Sequence, residues 1–219
     1  MNADTALACK NALLWLTSEG MKTLDYFLRV LNTWVYDLWS GEVDKDEFID
    51  RLADVIDQQL TRAWNEGMRE NGLDPATDMT DEWEQELQDI IANEYGYVDG
   101  FAADIVNGRD GNVAQLQARA AIWANRYRDV VNQAKLSTAS KGAKMEWVYN
   151  PDKEHCDTCS ALNGIVAFAS EWQALNVKPQ SPPNIYLSCG GWRCGCQLRP
   201  TERRRTPKAF DVIMNIVTK

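Results

Sequence analysis

One histidine, His155, in 219 residues leaves acid–base chemistry short of its commonest agent. No second imidazole exists to serve as a base, and sequence neighbours such as His155 and Cys156 rarely align a base onto a nucleophile. A phosphate-cradling glycine loop is also missing. Long apolar runs are absent too: the best, around Ala6 to Leu16, is broken by Lys10 and Asn11, far short of the roughly 18 apolar residues of a membrane span. That run has neither a basic start nor a small-residue cleavage site, so no signal peptide and no membrane partner are expected. Positive charge is scarce over the first 150 residues, with 26 acids against 14 bases, net −12; the remainder has 6 against 9, net +3. So acidic a body is a poor surface for wrapping long nucleic acid, because phosphate neutralisation needs a basic face. The tail Arg199, Arg203, Arg204, Arg205 and Lys208 is the one basic stretch.

What is present is an ordinary globular composition, 45% hydrophobic and 25% charged, in a length that suits one core with a small module attached. Apolar residues are dense from about Ala3 to Trp39, which predicts one or two helices with a break near Ser18-Glu19-Gly20. Asp44, with Glu47 three residues on, opens a helix whose Phe48, Leu52, Val55, Ile56, Leu60, Trp64 and Met68 keep helical spacing up to Gly72. The same turn imitates half of a calcium loop, but Tyr36 and Leu38 occupy ligand positions and exclude that reading. Asp74 to Asp78 reads as a loop, Thr80 as the cap of a third helix, and Phe101, Ile105 and Val106 as a separate short one. A further helix runs from Asn112 to about Lys135. Residues 42–104 hold 19 acids and 4 bases, a solvated surface first and a face for a basic partner second.

The small polar stretch 137–143 marks a boundary. Beyond it the apolar period shortens: Met145, Trp147 and Tyr149 alternate as in a strand, Ile165 to Phe168 reads as a second, and Gln197-Leu198-Arg199 as a third. Ser170 is placed as the cap of a short helix with Trp172 and Leu175, and Thr206-Pro207 as the start of a terminal helix with Phe210, Ile213 and Ile216. The expected fold class is therefore α+β and predominantly α. It comprises a helical body over 1–136, a linker over 137–143, and a cysteine-rich α+β module over 144–219 that ends in a helix.

Five of the six cysteines fall between His155 and Cys196. In Cys156-Asp157-Thr158-Cys159 a tight turn brings two sulfurs toward one ion, at about 2.3 Å if the ion is zinc. Cys189, Cys194 and Cys196 return about thirty residues later among Gly190, Gly191 and Gly195, which suit positive-φ turns. This is the pattern of a small module stapled by structural Zn2+. The expected ligands are Cys156, Cys159, Cys189 and one of Cys194 or Cys196, since an extended Cys194-Gly195-Cys196 points its two sulfurs oppositely. His155 is read as a neighbour of the site that could replace a cysteine. An iron–sulfur cluster, reversible disulfides and free thiols are the alternatives. A cysteine-only site is usually closed, so no enzyme is expected. Cys9, alone in an apolar helix, reads as a core residue.

Glu146-Trp147-Val148, His155-Cys156-x-x-Cys159-x-x-Leu162-Asn163-Gly164-x-Val166, Trp172, and Cys189-Gly190-Gly191-x-x-Cys194-x-Cys196-x-Leu198 together make a recognisable series. With Trp39-Ser40-Gly41, Ala63 to Gly67 and Arg119 to Tyr127 ahead of it, the chain from about 35 to 200 resembles the phage Mu F-like head morphogenesis (minor head protein) family. The resemblance implies a structural protein present in few copies in the virion, near the portal vertex, acting in head assembly and genome handling, and located in the host cytoplasm during assembly. Implied partners are the portal and/or major capsid protein. Should packaged DNA be touched as well, the surface for it is the basic tail at Arg203, Arg204 and Arg205, which reads first as a solvated charge run. Many family members carry a histidine where this chain has Gly191, and Cys189, two residues earlier, is the natural substitute. A DNA-binding zinc module and a phage-encoded effector or toxin-like enzyme are the alternatives.

Overall fold

The computed structural model describes residues 24–108, 112–151, 154–192 and 194–218. Cys9, the apolar start of the chain and the expected break at Ser18 to Gly20 lie outside them, as do Arg193 and part of the turn after Gly108. Among the described residues the order is α1 (Leu24–Ser40), α2 (Lys45–Glu70), α3 (Pro75–Asp78), α4 (Asp81–Asn107), α5 (Val113–Ser137), β1 (Lys144–Val148), α6 (Asp157–Leu162), β2 (Val166–Phe168), α7 (Ala169–Leu175), β3 (Gln197–Pro200) and α8 (Ala209–Val217). The protein is α+β and predominantly α, as the residue patterns predict.

Side-chain acceptors start the long helices. The Glu47 N–H donates to Asp44 Oδ1 at 2.8 Å, Trp83 N–H to Thr80 Oγ1 at 3.3 Å, and Gln115 N–H to Asn112 Oδ1 at 3.0 Å, each satisfying a donor that has no partner within the helix. Two expectations change here. Asp74 to Asp78 is not an open loop: Pro75 stands at the first helical position, and Asp74 accepts from Ala76 N–H, giving the single turn α3. The separate helix expected around Phe101 is the second half of α4, which passes Gly96 and Gly100 unbroken. Burial of Ile91, Val98, Phe101, Ala102 and Ile105 along one line outweighs the weak helix propensity of glycine.

Over the described residues the chain forms two compact units, one within Met1–Leu52 and Asp99–Ala124, the other within Ala53–Val98 and Asn125–Lys219. In the first, Phe101 lies between Phe48 and Trp123, with ring centroids 6.1 and 5.1 Å away. Arg119 covers its face at 5.0 Å and reaches Asp104 at 2.8 Å. In the second, Trp64 is fully buried, and Gly67 allows close approach to the 131–135 turn of α5: a Cβ there would stand 2.6 Å from both Val131 O and Ala134 Cβ.

The same unit contains a three-stranded antiparallel sheet of order β2-β1-β3, with Met145 opposite Ala167 and Trp147 opposite Leu198. The alternation of β1 sends Met145 and Trp147 inward, both fully buried. Trp172 of α7 packs on Trp147 at 5.7 Å and donates its indole N–H to Met145 O at 3.1 Å, so a ring and a hydrogen bond clamp the central strand. α5 is tied to β3 by two buried groups: Lys135 Nζ donates to Leu198 O at 2.8 Å while pairing with Glu70, and Asn132 Oδ1 accepts from Leu198 N–H at 3.0 Å.

Both expected caps in this part differ. α7 begins after Phe168, whose N–H is accepted by Glu171 from within the first turn, so Ser170 is a helical residue and not the cap. Thr206 does not cap α8, which begins at Ala209 after Lys208. Its hydroxyl accepts from Val166 N–H at 3.0 Å and its own N–H donates to Val166 O at 2.9 Å, so it extends the pairing of β2.

Candidate metal centre

α6 delivers the first two thiols. Cys156 stands at its N-cap, with Sγ accepting the Cys159 N–H at 3.4 Å, so the helix turn itself places the two sulfurs together. The end of α6 is fixed from β1: Asn163 Oδ1 accepts from Tyr149 N–H at 3.1 Å, and Gly164 N–H donates to Trp147 O at 2.8 Å. Leu162 is fully buried, which gives the Leu162-Asn163-Gly164 series a structural reason.

The second group comes from the loop before β3. Gly191, at φ +80°, lies so close to the Ser181-Pro182 peptide that a Cβ would meet its atoms at 3.0 Å. Gln180 donates to Cys194 O at 2.7 Å, and the Cys196 N–H donates to Cys194 Sγ at 3.4 Å. The hydroxyls of Thr158 and Ser188 meet at 2.5 Å, joining α6 to this loop. Neither pair is legible in the sequence, because isolated hydroxyl and amide side chains in loops carry no periodic or spacing signal; Gln180 itself takes the left-handed backbone, φ 60°, that its residue type does not announce.

All five expected cysteines are brought together, and all are free thiols. The sulfurs of Cys156, Cys159 and Cys189 lie within 4.8 Å of one another, as do those of Cys159, Cys194 and Cys196. These groups are close enough to hold a metal ion. Cys159 and Cys194 stand 3.7 Å apart, close to the edge of about 3.8 Å for a tetrahedron with 2.3 Å metal–sulfur bonds. Cys159 and Cys196 are buried among Trp147, Leu162, Trp172 and Leu198, while Cys156, Cys189 and Cys194 pack against that cluster from its edge. The cysteines thus finish a hydrophobic core on one side and meet solvent on the other.

The surroundings lower the pKa of two of the thiols. Burial raises the Cys156 thiol, but the N–H and thiol groups of Cys159 and Cys189 outweigh it and leave its pKa lowered. Contacts from the Cys159 and Cys196 thiols, against burial, pull Cys194 down, with the Cys196 and Gln180 hydrogen bonds adding to the effect. Cys159 is pushed up by its contacts with Cys194 and Cys196, and Cys189 rises chiefly through burial. A cation placed here supplies the charge that allows the remaining thiols to ionise.

His155 stands beside Cys196, with Nδ1 at 4.0 Å from its Sγ, and its ring packs on Tyr149 at 4.3 Å. Among the described residues its buried Nε2 has no hydrogen-bond partner. The basic tail is arranged otherwise than a phosphate-binding run: Arg203 pairs with Glu146, and Arg205 with Glu171 while covering the Phe168 ring at 5.2 Å. Arg204 is exposed. No helix among the described residues is long and apolar enough to cross a membrane. Comparison with protein-family models, with curated proteins and with solved structures finds no match to this chain.

Proposed function

We propose that the module from Lys144 to the C-terminal helix is stapled by structural zinc, and that the protein is a non-enzymatic minor head component of a tailed phage, acting in head assembly near the portal. The observation that carries the metal part is the convergence of five free thiols, from the start of α6 and from the loop before β3, on one hydrophobic core. An all-sulfur donor set suits zinc, which binds cysteine as thiolate and needs no redox change. Zinc of this kind contributes folding free energy to a loop-rich segment and polarises no substrate. The head-assembly part rests on the resemblance of the Cys156 to Leu198 series to the Mu F-like family. The portal and/or major capsid protein are the partners it implies. DNA contact through the tail is the weaker reading, because Arg203 and Arg205 already have carboxylate partners.

Two measurements test the two parts. Protein purified without chelator should carry zinc; a content near zero per chain, with every thiol reactive, sinks the structural-zinc reading. Mass spectrometry of purified virions should find the chain at a few copies per head. Heads that form and fill normally when it is deleted, and that never contain it, would remove the assembly reading.

A further inference from the structure

A single four-coordinate ion cannot take five thiolates. The arrangement of the five is also unsuited to one ion: among the described residues, no four of these sulfurs lie mutually within 4.8 Å, whereas two sets of three do. The two triangles share one vertex, Cys159. That sulfur is fully buried, is 3.7 Å from Cys194, and starts in α6, the element that also carries Cys156 at its cap.

The geometry points to a two-ion centre in which the Cys159 thiolate bridges two zinc ions. This rests on the zinc reading above. The first ion is held by Cys156, Cys159 and Cys189, the second by Cys159, Cys194 and Cys196. Cys156 and Cys189 are only half-buried, so solvent reaches the first ion and supplies its fourth ligand. The second lies among the buried Cys159 and Cys196, where the imidazole of His155, with Nδ1 4.0 Å from Cys196 Sγ, offers a further donor. Loading exchanges the five thiol protons for two divalent ions and leaves the centre with one negative charge and a neutral imidazole. The arrangement explains why Cys189 is present beside a complete Cys194-Gly195-Cys196 pair: it belongs to a different ion.

The test is stoichiometry on the unmodified chain, which avoids variants that fail to fold. Elemental analysis of zinc and native mass spectrometry should both give two ions per chain, and the cadmium-loaded protein should show two cadmium NMR resonances coupled to each other through the shared sulfur. One ion per chain overturns the two-ion centre and leaves the structural-zinc reading standing; none overturns both. Two ions with uncoupled resonances would remove the Cys159 bridge. Cys189→Ser, at the half-buried first site, should lower the content from two ions to one, and retention of two would also count against the assignment.

Discussion

The long helices and the cysteine-rich module solve the same problem with different material. In α1, α2, α4 and α5 an apolar line runs the length of each element, and whole rings such as Phe48, Phe101 and Trp64 are buried along it. In the module three strands of three to five residues and three short helices share a core centred on Trp147 and Trp172, with Cys159 and Cys196 inside it and Cys156, Cys189 and Cys194 at its rim. Helices of this length bury enough side chains to stand on packing. Strands so short do not, and what closes the module is chemistry specific to its side chains. If that contrast is right, agents that act on sulfur should spare the helices, and agents that act on packing should harm both.

The largest expected effect is metal removal. Structural zinc sites in small domains are worth about 10 to 16 kcal/mol of apparent binding free energy, as much as the total stability of a typical domain. A strong chelator should therefore abolish amide-exchange protection in β1, β2 and β3, while the protection of α1 survives. Equal loss in both would break the contrast.

Ring truncation should be next. Trp147→Ala and Phe101→Ala each remove a fully buried ring and should each cost about 3 to 5 kcal/mol in denaturant titrations. Their side effects should part company. Trp147 lies in the cluster that includes Cys159 and Cys196, so its loss should lower retained metal; Phe101 packs between Phe48 and Trp123, and its loss should leave metal content unchanged. Equal metal content in both variants would show that the centre does not depend on the core behind it.

Gly67→Ala probes packing inside the helices alone. Alanine is the better helix former by about 1 kcal/mol, yet its Cβ would sit 2.6 Å from a backbone oxygen and a methyl of α5, so the net effect should be destabilising by about 1 to 3 kcal/mol. A melting temperature at or above the wild-type value would mean that the two helices part without cost.

The contrast also sorts what the sequence makes legible. α2 can be read from Asp44 to Gly72, because its cap, period and stop agree and the tertiary structure asks nothing different of them. The strands at Met145 and Leu198 are visible through alternation and through a tryptophan facing inward. The misread points are those where burial or a side-chain contact overrides the signal of the residue type. The stretch with Phe101, Ile105 and Val106 reads as a separate helix until it is seen to continue α4, with Val98, Phe101 and Ile105 buried. Ser170 and Thr206 look like caps until Glu171 takes the Phe168 N–H and β2 takes Thr206. At the candidate site, spacing identifies the five cysteines, but the sharing of Cys159 between two groups depends on how the 189–196 loop folds back, which no local pattern encodes.

The smallest effect comes from a polar contact on the module's surface. Glu171 accepts from both Arg205 and the Phe168 N–H, and it stands in the first turn of α7, where the helix dipole favours negative charge. The Arg205 contact, acting against partial burial and helped by the Phe168 N–H, holds its carboxyl below the ordinary value of 4.5. A carboxylate whose folded pKa is depressed stabilises the fold above the unfolded pKa and loses that contribution as pH falls through the folded one. The pair is partly exposed, so the contribution should be about 1 kcal/mol or less and should shrink in salt. Glu171→Gln keeps an acceptor for the Phe168 N–H but removes the charge. The variant should melt slightly below wild type at pH 7, and the gap should close below about pH 4 as the wild-type carboxyl protonates. A gap that persists undiminished into acid would mean that shape, and not charge, holds Arg205 in place.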